Sequence, residues 1–119
     1  MTSPVIRRCL ALAALLGAAT PAVAQPAEGI VATGSILLGC RALVENAPTG
    51  DMMQIGACAG AVSVALDISR SQRRACPPAG GGIIDAARVV IMFVDERPER
   101  KSDQFGPLAL TALGDRWPC

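Results

Sequence analysis

"CRALVENAPTGDMMQIGAC", residues 40–58, decides how this chain folds. A cysteine stands at each end, and the middle, Asn46 to Asp51, combines proline, glycine and short polar side chains that break a helix and turn the chain. Upstream, the apolar positions Ile36, Leu37, Cys40, Leu43 and Val44 recur at helical spacing, with Thr33 or Ser35 placed to cap the start. Downstream, Ile55, Cys58, Ala59, Val62, Ala65 and Leu66 share one helical face, while Gln54, Ser63, Asp67 and Arg70 take the other sides. The spacing predicts a long helix over about residues 52–73. Cys40 lies eight residues before Pro48 and Cys58 ten after it, so an antiparallel helix pair sets these sulfurs opposite each other. Gly56, Ala57, Ala59, Gly60 and Ala61 make the first half of the second helix slim. Polar residues follow too soon for a membrane-dimerising Gly-x-x-x-Gly, so the expected use is close approach of a neighbouring helix in a soluble core.

Toward the N-terminus, residues 1–24 read "MTSPVIRRCLALAALLGAATPAVA". Arg7 and Arg8 precede an apolar run from Cys9 to Ala19, and Ala22-Val23-Ala24 closes it, the order of an export signal cleaved after Ala24. The run falls well short of the ~20 residues of a membrane-spanning helix. Residues 25–33, rich in Pro, Gly and small side chains without a period, are expected to form a flexible leader ahead of a domain over 34–119. Loss of Arg7 and Arg8 from the eleven basic residues leaves nine against ten acidic ones. That balance leaves no basic footprint for nucleic acid, and no membrane association is expected after cleavage.

The same cut removes Cys9 and leaves Cys40, Cys58, Cys76 and Cys119. An even number of cysteines in an exported chain reads as disulfides, which persist in the periplasm. With only two Phe and one Trp to fill a core, covalent crosslinks are physically useful. Histidine is absent and the thiols are widely spaced, so no metal site is expected. Cys119 has no residues after it and is no prenylation site. "LLGC" at 37–40 has the look of a lipobox but follows a stretch with Glu28 and no basic start, and lipidation there would leave an odd number of thiols.

Toward the C-terminus, "CPPAGGG" (76–82) is a turn without the Lys-Ser/Thr ending of a phosphate-binding loop. A third helix follows with Ile83, Ala86, Ala87, Val90, Phe93 and Val94 inward and Asp85, in its first turn, suited to the helix dipole. "RPERKSDQFG" (97–106) reads as a charged loop. Pro107 suits the first position of a last helix, with Leu110, Leu113 and Trp117 on its inner face and Pro118 stopping it.

Without histidine or tyrosine, neither a Ser-His nor a Cys-His arrangement can be built, and no Cys-x-x-Cys is present for redox catalysis. The carboxylates fall on outward faces or in loops, so binding is the expected function, with no catalytic residue and no cofactor. A disulfide-stapled helical bundle of this kind also fits a periplasmic chaperone or a carrier of apolar ligands, which requires a lined cavity or an exposed apolar patch.

The assembled order of "LLGC" in a first helix, "ACAG" in a second, "CPP" in a turn, "VVIMFVDERPE" in a third and a terminal "ALGDRWPC" resembles the Rap/Tai family of immunity proteins, from about Thr33 to Cys119. The resemblance implies a small all-helical periplasmic protein, commonly a homodimer. It implies binding to a peptidoglycan amidase effector delivered by type VI secretion, whose catalytic groove a surface loop occludes. Ala61 and Val64 stand where the family often has an aromatic residue and a glycine, and Arg97 where histidine is usual before Pro-Glu.

The expected fold is therefore all-α, a four- or five-helix bundle stapled by two disulfides. The hairpin pairs Cys40 with Cys58, and of the three pairings four cysteines allow, this leaves Cys76 with Cys119. On chain-entropy grounds the two loops contribute roughly 3 and 4 kcal/mol. The expected partner contact is the charged loop, with Arg97, Glu99, Arg100, Lys101 and Asp103 as its candidate residues.

Overall fold

Four α-helices and one 3-10 turn follow one another in the computed structural model, which describes residues 31–46 and 50–119, with Gly17 and Ala19 alone before them. Helix α1 spans Thr33–Glu45, α2 Met52–Ser71, α3 Ile83–Glu96 and α4 Phe105–Arg116, with the 3-10 turn over Pro98–Ser102 between α3 and α4. The expected export signal, most of the leader and Ala47 to Thr49 of the first turn lie outside the described residues. The fold is all-α, and both disulfides join the expected partners.

The hairpin closes as the cysteine spacing requires. At its first end Asn46 takes a left-handed φ of 50°, which a short polar side chain tolerates, and its N–H donates to the Ala42 carbonyl. At its second end the Asp51 carboxylate accepts from the Met53 N–H at 2.9 Å and caps α2. Cys40 and Cys58 then lie with Cα atoms 5.1 Å apart and are fully buried.

Close approach of the two helices occurs elsewhere than expected. Gly56 and Gly60 face open space. The slim position is Gly39 on α1: a Cβ there would lie far inside contact distance of the Gln54 carbonyl and 3.0 Å from the Ile55 nitrogen. One glycine beside the crosslinked cysteine thus lets the backbones meet, while the slim face of α2 points outward with Met52, Met53 and Val64 exposed. By length and composition alone α2 could cross a membrane. Its other face, with Cys58, Val62, Ala65 and Leu66, is buried among α1, α3 and α4, which makes it the central helix of the core.

The core is thin. Val62, Val90, Val94, Leu108 and Leu113 are its largest fully buried apolar side chains, filled in by alanines such as Ala86, Ala87, Ala109 and Ala112. Ser69 is fully buried too, and its hydroxyl has no hydrogen-bond partner among the described residues. An orphan buried hydroxyl is destabilising, so Ser69→Ala is expected to raise stability by about 1 kcal/mol in urea denaturation; a loss instead means that the hydroxyl is satisfied.

Several local expectations are corrected. Neither Thr33 nor Ser35 caps α1 by a side-chain bond; Ala32 occupies that position, and Thr33 instead points into the fold. Ile83 is 37% exposed, because the inward stripe of α3 begins at Ala86. Helix α4 starts at Phe105, two residues before Pro107, which fits in the first turn where amide donors are free anyway. Its buried face is Phe105, Leu108, Ala109, Ala112 and Leu113, with Leu110 and Trp117 only half-buried. Residues 31–33, read from sequence as leader, are tied to the start of α4. The Phe105 N–H donates to the Val31 carbonyl at 3.0 Å, the Thr33 N–H donates to the Asp103 carbonyl at 2.9 Å, and Ala32 and Gln104 form a single antiparallel bridge.

Candidate functional site

The charged segment after α3 is ordered by short-range chemistry. Arg97 ends α3, its N–H donating to the Val94 carbonyl at 3.0 Å, and Pro98 opens the 3-10 turn, in which the Arg100 and Asp103 N–H groups each reach back three residues at 3.0 Å. Far from being an irregular loop, Pro98–Ser102 is a tight turn held on both sides.

Phe93 holds it from below. The Arg97 guanidinium lies 4.2 Å from the centre of the Phe93 ring and that of Arg100 lies 5.2 Å from it, where the electron-rich ring face attracts a cation. Arg97 also donates to the Phe93 carbonyl at 3.4 Å and to Glu96 at 3.3 Å. Arg100 donates through Nε to the Asp103 carboxylate at 2.8 Å. From the side, the Thr33 hydroxyl and N–H both donate to the Asp103 carbonyl at 2.9 Å, which fixes the exit of the turn to the start of α1.

These bonds sort the five expected contact residues into two groups. Arg97, Arg100 and Asp103 are half-buried and bonded within the fold. Glu99 and Lys101 are exposed and make no side-chain hydrogen bond or ion pair among the described residues. A rigid turn thus presents one acid and one base outward, so little backbone entropy is lost when a partner meets them.

The surface beside the turn alternates in charge. Arg41 on α1 bonds Asp95 on α3. That hydrogen bond holds the Asp95 carboxyl below the usual carboxylate range, against a smaller opposing effect of burial and with further help from the charges of Arg41 and Lys101. On the other side, Arg97 forms the rim of a shallow depression whose floor is Val89, Phe93 and Ala112 and which Met92 and Arg116 also line. Neither Met92 nor Arg116 stands out as a contact residue in the sequence. Met92 is 56% exposed, and its place off the stripe of Val90, Phe93 and Val94 was the available signal.

The four cysteines are all disulfide-bonded, Cys40–Cys58 inside the core and Cys76–Cys119 at the surface. Among the described residues no three Cys, Asp or Glu side chains cluster to hold a metal ion. The expected site therefore divides between a surface turn, where binding chemistry is available, and two crosslinks that hold its scaffold.

A family model described as Rap1a immunity proteins matches residues 33–119, a span that opens at the first residue of α1 and closes on Cys119. No curated protein and no solved structure matches the chain.

Proposed function

This chain belongs to the Rap1a immunity protein family, and from that premise we propose that it protects a cell by binding a type VI secreted peptidoglycan amidase in the periplasm and covering its catalytic groove. An immunity protein acts by binding an effector protein. The finer reading, an amidase blocked by occlusion, rests on the resemblance of the "RPE" turn and the four cysteine contexts. The observation that carries it is the pre-ordered turn at Pro98–Ser102, clamped by Phe93 and Thr33, with Glu99 and Lys101 free to meet a partner.

The test is inhibition of an amidase encoded beside this protein. Purified protein is expected to suppress hydrolysis of peptidoglycan peptides stoichiometrically, and no suppression at saturating protein removes the amidase reading. A Glu99→Ala, Lys101→Ala double variant is expected to weaken inhibition at least about tenfold, in the range found for interface charges that lose a partner. Its thermal midpoint should stay unchanged, because neither side chain is bonded to any of the described residues. Full inhibition by that variant would move the contact away from the turn.

The outward face of α2 supports the homodimer that the resemblance implies. Met52 is 77% exposed, Met53 84% and Val64 58%, on a helix otherwise flanked by glycine and alanine. A second copy packed there would cover apolar surface that a lone protomer leaves wet. Sedimentation equilibrium reports it directly, and a monomer at tens of micromolar protein withdraws this part alone. The same exposed patch is what a chaperone of apolar ligands would use, so retention of an apolar dye by a stable monomer is the result that favours that alternative.

A further inference from the structure

The two disulfides occupy opposite environments. Cys40 and Cys58 are 0% exposed, so no thiol can approach them until the hairpin opens. Cys76 and Cys119 are both exposed and line an open depression together with Arg70, Arg73, Ala75 and Pro77. Disulfide exchange requires a thiolate to reach one sulfur while the other leaves as a thiolate, and nearby cations favour both charged species. Arg70 is held in place by its bond to the Gly81 carbonyl at 2.9 Å, and neither Arg70 nor Arg73 pairs with a carboxylate among the described residues. Their charge is therefore left to act on the sulfurs.

We propose that Cys76–Cys119 is a thiol–disulfide exchange site, opened by dithiol reductants such as a Cys-x-x-Cys oxidoreductase while Cys40–Cys58 stays closed. The attacking thiolate bonds to Sγ of Cys119, the Cys76–Cys119 bond breaks, and its electron pair leaves on Sγ of Cys76. The direction follows from charge. Cys76 lies three residues beyond Arg73, which lines the same depression and stabilises Cys76 as the leaving thiolate. The second thiol of the reductant then displaces Cys119. The protein gains two electrons and two protons, and the reductant becomes a disulfide.

Opening this clasp releases little. The Cys76 N–H still donates to the Trp117 carbonyl at 2.8 Å, and the Trp117 N–H to the Leu113 carbonyl at 2.8 Å. Ala112 and Leu113 remain fully buried behind them. Pro118 and Cys119, both exposed, are set free, so a helical protein with a reactive Cys119 thiol is the product.

The experiment involves no amidase, so it stands or falls apart from the immunity reading. The purified disulfide-bonded protein is treated with limiting dithiothreitol in native buffer, trapped with N-ethylmaleimide at intervals, and mapped by mass spectrometry. Cys76 and Cys119 are expected to label at least about tenfold faster than Cys40 and Cys58, since buried groups react only through opening of the fold. Reduced glutathione in place of dithiothreitol should leave its mixed disulfide on Cys119. Arg73→Gln should slow opening several-fold with helicity unchanged. Labelling of all four cysteines together overturns the proposal, as do a mixed disulfide on Cys76 and an Arg73→Gln protein that opens at the wild-type rate.

Discussion

Gly39→Ala is expected to destabilise the protein by about 3 kcal/mol or more, beyond what overpacking usually costs. The added methyl would occupy space held by the Gln54 carbonyl and come within 3.0 Å of the Ile55 nitrogen. Both are main-chain atoms in the first turns of α2, so no side chain can swing aside. Relief requires α1 and α2 to separate, and the neighbouring Cys40–Cys58 bond, with its Cα atoms 5.1 Å apart, resists that movement. Gly56→Ala is the internal control. That glycine has nothing within 4 Å of an added Cβ, and alanine in a helix is better than glycine by up to about 1 kcal/mol. One chemical change at two positions should thus shift the urea midpoint in opposite directions. A loss below about 1 kcal/mol at Gly39 would show that the helices pack farther apart than described.

Replacing Cys40 and Cys58 together by alanine should produce a loss of similar size for a different reason. The crosslink joins residues 18 apart, and freeing that loop in the unfolded chain costs about 3 kcal/mol in the entropic account. Both sulfurs are fully buried in a core filled mostly by valine, alanine and leucine, so their removal also leaves a void that small neighbours fill poorly, for roughly another 1 to 2 kcal/mol. Set against the ~5–15 kcal/mol of an ordinary domain, the variant is expected to be partly or wholly unfolded at 37 °C by circular dichroism. Retention of the wild-type melting curve would mean that packing alone holds the hairpin.

Much of the charged turn is hidden from a linear reading for an identifiable reason. "RPERKSDQFG" contains no apolar period, so it reads as a charged loop, and its charges read as equally free. Which of them are free depends on Phe93, one helical turn before Arg97, and on Thr33, seventy residues away, whose two donors fix the Asp103 carbonyl. The same distant contact explains why the leader's last residues are ordered and why α4 begins at Phe105 instead of Pro107.

The sequence by itself determined the all-α class, the turns and the pairing of sulfurs, because apolar period, proline and glycine act over a few residues and a short hairpin leaves little freedom in where its cysteines meet. The tertiary structure decided the rest: that Gly39 and not Gly56 lets two backbones touch, that α2 turns its slim apolar side outward, and that of the charged turn's five candidates Glu99 and Lys101 are the two unbonded among the described residues. Each of these depends on which face of a helix meets another element. A helix with small residues on several sides presents more than one such face, and only packing chooses between them.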